Sequence, residues 1–231
     1  MTESATAVQW DAIARQLDRL QSIEHIRDLS HRYALALDMR DWDAVASLFV
    51  DDIELPALPG APRGRAALKQ YLEAAMASFR GRGMFHANTN ILVEFHDRDH
   101  AFGAVFCRSD DDCGTQFLNG SLNYWDEYVR EGGAWLFARR EVLYWYLADP
   151  MHSPLGPDKV RFPGMPHRRG QLPQFWGAWQ ADAQGGEGTA AIDDGGSFLR
   201  RIRRLPAAEH RPEAVRRQFV DWLGMPDDAP G

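Results

Sequence analysis

The sequence predicts an α+β fold in which a curled, mainly antiparallel sheet closes over three N-terminal helices. Three observations carry this. Apolar residues before position 80 recur at three- and four-residue steps, the period of helices with one buried face. From His86 onward the chain turns to runs rich in Ile, Val, Phe, Tyr and Trp, which suit a pleated, half-buried surface. Short turn-forming clusters, with no helix between them, separate those runs, so neighbouring strands pair antiparallel. A curved sheet with helices on one side leaves a concave interior, a natural small-molecule site.

Residues Val8 to Leu20 have helical periodicity and lead into a longer helix from about Ser22. Ile23, Ile26, Leu29, Tyr33 and Leu37 form its stripe, with Glu24, Arg27, Asp28 and Arg32 mostly off it. Asp41 suits the N-cap of a short helix through Ala44 to Phe49. Asp51 and Asp52, then Pro56, Pro59, Gly60, Pro62 and Gly64, break the pattern. A third helix is expected from Arg65 to Phe79, with Leu68, Tyr71, Leu72, Ala75 and Phe79 on one side. Strands are expected at Asn90–Phe95, Ala101–Arg108, Phe117–Arg130 and Ala134–Tyr146, with turns at Asp97–Asp99, Asp110–Gly114 and Glu131–Gly133. Arg-Glu-Gly-Gly between the last two strands is a hairpin signal.

After Tyr146 the composition shifts. Prolines and glycines punctuate about 25 residues, and 184–196 is rich in Gly, Asp and Ala. Short helical segments fit Gln174–Gln180 and Pro212–Leu223, the latter with Val215, Phe219, Val220 and Trp222. The chain therefore divides into a domain at 1–147 and an irregular extension at 148–231. The extension is expected to pack on the domain or on a neighbouring subunit, and part of it is a candidate cover for the interior.

Composition excludes several functions. With 45% apolar residues and 12 Phe, 8 Trp and 6 Tyr among 231, the chain can fill a thick core or line an aromatic pocket. A net charge of −7 without a long basic run argues against nucleic-acid binding; the Arg-Arg-Ile-Arg-Arg run at 200–204 reads as a solvated helix face. The acidic N-terminus lacks a signal-peptide pattern, and no apolar run nears the ~18 residues of a membrane span. Cys107 and Cys113 are too few for a disulfide framework or a cysteine-rich metal site. No His/Glu/Cys spacing suits zinc, and neither Gly-rich segment has the strand–helix setting of a nucleotide loop. The expectation is a cytoplasmic chain with no metal, no organic cofactor, no nucleic-acid partner and no membrane contact.

Two places carry candidate chemistry. In Tyr33 to Phe49, YALALDMRDWDAVASLF, an apolar helix ends beside Asp38. His86 opens the first β run, MFHANTNILVEF. A histidine titrates near working pH, so it can take a proton and return it. A carboxylate on its other nitrogen fixes the tautomer and stabilises the imidazolium. If the two residues meet, His86 is the base and then the acid, and Asp38 orients it. Tyr33, little more than a turn before Asp38, can reach the same cavity and polarise a carbonyl or assist a leaving hydroxyl. Simpler readings stay open: Asp38 as an exposed or capping acid, His86 as a structural residue, and Tyr33 as core.

Asn88 and Asn90 alternate with His86 along the strand, so either can place a substrate oxygen or satisfy local backbone. Tyr124, Asp126 and Tyr128 alternate likewise, lining the interior unless Asp126 faces out. Arg140 pairs with an acid if buried, or binds a phenolate or carboxylate if open to the cavity. Trp145, with Tyr144 and Tyr146, stacks on an aromatic ligand or packs in the core. His25, His31, His96 and His100 read as surface residues.

The pieces RYALALDMRDWDAVASLFVDD at 32–52, Gly64-Arg65 before the third helix, FHANTNILVEF at 85–95 and NYWDEYVREGGAWLFARREV at 123–142 resemble the SnoaL-like branch of the nuclear transport factor 2-like superfamily. The resemblance covers about residues 10–147. It implies a cone-shaped α+β barrel, and it is specific for fold more than for reaction, because this superfamily also holds isomerases, cyclases, epoxide hydrolases and non-catalytic subunits. In its dehydratases an Asp at the position of Asp38 pairs with a His at the position of His86, and bile acid 7α-dehydratase has a Tyr at the position of Tyr33. Arg140 matches a recurring Arg after the Trp-x-aromatic of the last strand. The resemblance implies a cofactor-independent lyase that removes water from a hydroxylated cyclic or aromatic molecule, and a homodimer or homotrimer. The alternatives are a carbon–carbon lyase releasing formaldehyde from a lignin-derived diarylpropanoid, an isomerase or cyclase, and a non-catalytic subunit like the small subunit of ring-hydroxylating dioxygenases.

Overall fold

A computed structural model describes residues 2–54, 63–77, 82–170 and 172, with side chains from residue 10 onward. The first helix, α1, is continuous over Thr2–Asp38, so the two helical stretches expected around residue 20 are one. Ser22, Ile26, Leu29, Ser30, Tyr33 and Leu37 face inward and are buried. The helix stops in two interlocking hydrogen bonds: the Arg40 amide to the Leu37 carbonyl at 3.0 Å and the Asp41 amide to the Ala36 carbonyl at 2.9 Å. This is the Schellman arrangement, which needs a left-handed residue at its centre. Arg40 fills that place at φ 58°. Asp38 is thereby held in the last turn of α1.

Asp41 then caps α2 (Trp42–Ser47), its carboxylate accepting the Ala44 amide at 2.9 Å. Beyond α2 the chain lies along the last strand: the Val50 amide donates to the Phe137 carbonyl, and the Phe137 amide to the Leu48 carbonyl. The third helix, α3 (Arg65–Ala75), starts after Gly64 at φ 90° and buries Leu68 and Leu72. It ends before Phe79, which lies outside the described residues.

Four strands follow, β1 (Met84–Phe95), β2 (His100–Asp112), β3 (Phe117–Glu131) and β4 (Ala134–Ala148), paired antiparallel in sequence order. Gly132 and Gly133, both at positive φ (56° and 86°), turn the β3–β4 hairpin, as a two-residue hairpin turn demands. Bulges fall between Asn88 and Ile91, between Ser121 and Leu122, and between Glu127 and Tyr128. Each adds local twist and bends the sheet. The main core fills the concavity, where Ile26, Tyr33, Leu37, Val45, Phe49, Leu68 and Leu72 meet Val105, Cys107, Leu122, Tyr124, Tyr128 and Phe137. Helices inside a curled antiparallel sheet make this the cone-shaped α+β barrel that the sequence predicts.

The turn expected at Asp110–Gly114 is strand as far as Asp112. Three consecutive acids suggest a turn, but the Asp110 carboxylate accepts the Asn119 side-chain amide at 2.5 Å and the Asp112 carboxylate accepts the Gly114 amide at 2.7 Å. Asp111, between them, faces inward. At the far end of β4, residues 149–170 fold back on the strand. The Leu147 amide donates to the Lys159 carbonyl at 2.8 Å, and buried Val160 bridges both Leu147 and Arg168. Gly170 packs so closely that a Cβ there would lie 2.4 Å from the Trp145 carbonyl oxygen. The helical segments expected at 174–180 and 212–223, and the basic run at 200–204, lie outside the described residues.

Candidate active site

The end of α1 and the start of β1 bring Asp38 and His86 together. Asp38 Oδ1 lies 2.6 Å from His86 Nδ1, and its Oδ2 accepts the His86 backbone amide at 2.9 Å. Both side chains are largely buried, at 11% and 18% exposure for His86 and Asp38. One carboxylate thus grips the histidine twice and fixes the ring's rotation about the backbone. With Nδ1 facing the carboxylate, Nε2 is the nitrogen left for proton exchange. An acid in the last turn also faces the negative end of its helix, a place that favours a cation beside it. His86 is the group that can become one.

Asp111 is the functional candidate the sequence does not reveal. It pairs in register with Met84, as Ser109 pairs with His86, so Asp111, Ser109 and His86 share the inner face. Burial raises its pKa above the usual carboxylate range. The His86 charge and a hydrogen bond from Ser109 pull the other way, while Asp110 and Asp38 add to the rise. The site therefore holds two acids in different surroundings beside one histidine: Asp38 hydrogen-bonded to it, and Asp111 desolvated and inclined to keep a proton. The signal that could have found Asp111 was the register of β2, hidden by the turn-like Asp-Asp-Asp.

The remaining predicted residues scatter. Tyr33 lies in the main core, its ring edge-on to Phe49, Tyr124 and Phe137 at 5.8–6.0 Å. Burial raises its pKa against the nearby Arg140 charge. Its hydroxyl makes no hydrogen bond to His86 or Asp38 among the described residues, and its ring takes the core place that the sequence left open for it. Tyr124 does face inward, 3% exposed and in ring contact with Tyr33. Arg140 resolves to its buried alternative: Nε and Nη2 donate to the two oxygens of Asp126 at 2.8 and 2.7 Å. The rings of Tyr33, Tyr124 and Phe137 surround its guanidinium at 4.0–4.2 Å. Asp126 is fully buried, not outside, and also accepts the Tyr128 hydroxyl at 2.9 Å. Burial, the largest single influence, works to lower the Arg140 pKa, but the charge and hydrogen bonds of Asp126 together with Tyr33 and Tyr124 outweigh it and the net direction is up.

Asn88 faces the interior beside His86, its amide donating to the Ser30 carbonyl at 2.7 Å, while its Oδ1 is buried without a partner among the described residues. Asn90 does not share that face. The bulge after Asn88 shifts the alternation and leaves Asn90 exposed. Trp145 is likewise displaced by the bulge in β4, and its indole N–H donates to Asn123 on the convex side at 3.2 Å. Cys107 is buried and its thiol pushed up to about 12 by desolvation, which keeps it from acting as a nucleophile. An open hollow of about 370 Å³ at the β1–β2 turn, lined by His96, Asp97, His100, Glu127 and Tyr128, lies at the opposite end of β1 from His86. No group of three or more potential metal ligands occurs among the described residues, and no helix there is long and apolar enough to cross a membrane.

The SnoaL-like domain model matches residues 18–141, more than half of the chain and the whole stretch that builds the dyad. The chain belongs to the SnoaL-like family. None of the curated proteins matches this SnoaL-like chain. Solved structures do. A protein of Novosphingobium aromaticivorans, assigned as a scytalone dehydratase, is 25% identical with a TM-score of 0.53, over 66% of this chain and 99% of its own. LinA is 25% identical with a TM-score of 0.54, over 62% of this chain and 99% of its own. The hexachlorocyclohexane dehydrochlorinase LinA-type3 of Novosphingobium barchaimii is 25% identical with a TM-score of 0.53, over 58% and 93%. Family and neighbours together support a small-molecule role of lyase or isomerase type.

Proposed function

We propose that this SnoaL-like protein is a lyase that eliminates water from a hydroxylated cyclic or aromatic small molecule. The observation that carries the reading is the double grip of Asp38 on His86. A histidine held at Nδ1 and at its backbone amide presents Nε2 as a fixed base, pre-stabilised as imidazolium by the carboxylate behind it. Nε2 takes a proton from carbon next to an electron-withdrawing group, and the electron pair left behind expels the neighbouring hydroxyl. That hydroxyl leaves as water once protonated, and Asp111, which burial biases toward its acid form, is the donor on the same face. Asn88 Oδ1, buried without a partner beside the dyad, is an acceptor for a substrate hydroxyl. Arg140 and Tyr33 are assigned to the scaffold. The names of the structural neighbours, a dehydratase and dehydrochlorinases, describe eliminations and support this choice over isomerisation.

The test is product mass spectrometry on a panel of β-hydroxy ketones built on cyclic and aryl frames. Loss of water is the expected result. Loss of formaldehyde would mean carbon–carbon cleavage, with His86 deprotonating a hydroxyl, and would overturn the elimination. For any substrate turned over, His86→Ala should lower kcat by about 10²–10⁴-fold, the range of a lost general base, with the circular dichroism spectrum unchanged. Near-normal turnover by that variant would remove the dyad from the mechanism.

A further inference from the structure

The first half of α1 carries charge on its inner side, where Asp18 pairs with Arg130 and Arg19 lies over Phe95, and apolar residues on its outer side. Its inner side faces the sheet, yet Trp10, Ile13, Leu17 and Leu20 are 65%, 45%, 53% and 62% exposed. At 3.6 residues per turn these four form one stripe, roughly opposite the inward stripe that passes through Ser22, Ile26 and Leu29. The spacing is that of a helix seam, with three-, four- and three-residue steps. The stripe is also bounded. One turn further, the outer face becomes charged, with exposed ion pairs between Glu24 and Arg27 and between Asp28 and Arg32. Whatever covers the seam is therefore short, about 15 Å long.

We propose that the seam is the docking site of this chain's own residues 212–223, Pro-Glu-Ala-Val-Arg-Arg-Gln-Phe-Val-Asp-Trp-Leu. Three arguments select this occupant. The first is size. The exposed surface of the four side chains is on the order of 400 Å², about half of the ~800 Å² each partner of a stable dimer buries. That is too little to hold a second copy, but a tethered segment does not lose the translational freedom that free association costs. The second is length and reach. Pro212 and Gly224 bracket one stretch as a helix start and stop; its twelve residues span about 18 Å as a helix, matching the seam. Val215, Phe219, Trp222 and Leu223 make its single stripe. The connection from 173 to 211 reaches on the order of 100 Å when extended, ample to cross the domain from Leu172. The third is charge. The seam is edged by neutral Ala14, Gln16 and Gln21. Segment 212–223 balances Arg216 and Arg217 with Glu213 and Asp221, whereas Phe198–Leu205 brings four arginines and no acid.

Hydrogen–deuterium exchange on the full-length chain tests this, at two protein concentrations tenfold apart, for the native sequence, Phe219→Asp and Leu17→Asp. The expected result is reciprocal loss: Phe219→Asp speeds exchange in residues 10–20, Leu17→Asp speeds it in residues 212–223, and neither effect depends on concentration. Protection of residues 10–20 that falls on dilution and ignores Phe219→Asp would assign the seam to a second copy and overturn the proposal. Loss confined to the mutated segment would overturn it as well, by showing that the two do not touch. Unchanged exchange in β1 to β4 controls for the fold.

Discussion

At the scale of single residues, the site turns on two aspartates in different surroundings. Asp38 is bonded to His86, while Asp111 is desolvated on the same face, and burial lifts its pKa. That lift has a sign. Between the ordinary carboxylate pKa of about 4 and the raised native value, the folded state binds more protons at Asp111 than the unfolded chain does. Stability contributed by Asp111 therefore falls as pH rises through that window. Asp111→Asn removes the slope, so its Tm is expected to vary less than the native one across a pH series from 4 upward. If Asp111 supplies the proton to the leaving hydroxyl, the native kcat also declines as pH rises past the raised pKa, and the Asn variant has a low kcat without that decline. A kcat of native size in Asp111→Asn would restrict the residue to packing.

At the scale of elements, the stop of α1 and the β3–β4 pair set the geometry. Arg40 occupies a left-handed position that usually falls to glycine, and its guanidinium donates to the Arg82 carbonyl at 2.6 Å, just before β1. Arg40 thus ties the end of the helix carrying Asp38 to the entry of the strand carrying His86. Arg40→Ala and Arg40→Gly both lose that tie, but only Ala keeps the backbone cost. The Gly variant should be the more stable of the two by about 1 kcal/mol in urea titrations. Across β3 and β4, Arg140 and Asp126 are a buried, bidentate pair ringed by aromatics. Arg140→Met leaves a buried carboxylate uncompensated and should cost about 3–5 kcal/mol of unfolding free energy. Adding Asp126→Leu should recover much of that loss, because the pair's value lies mainly in mutual neutralisation. These elements also mark how far the sequence can be read. Periodicity and aromatic content were enough to set out three helices and four strands in order. Bulges leave no local signature, since one extra residue in an alternating run changes no composition. Asn90 was therefore expected on the wrong face, and Trp145, for which ligand stacking and core packing both stood open, could not be given one. Arg140 and Asp126 were ambiguous because their partner across the hairpin depends on the same register.

At the scale of the whole molecule, the barrel protects its two sheet edges differently. The outer edge of β4 is covered along both halves, by residues 48–50 against Phe137 and by Val160 against Leu147. Nothing among the described residues pairs with the outer edge of β1, the strand that carries His86. An open strand edge leaves amides to solvent and invites other chains to add to it. The amide of His86 is one of these, and the Asp38 carboxylate takes it. The same side chain that steadies the imidazole therefore also does, for one residue, the work of a missing fifth strand. Chemistry and edge protection are coupled in a single carboxylate, so they fail together. The coupling gives the dyad a gauge that needs no substrate. Asp38→Ala should speed hydrogen exchange of the His86 amide by roughly tenfold or more, the effect of losing a charge-assisted hydrogen bond. Amides of β3, paired on both sides, should keep their native rates in the same spectrum.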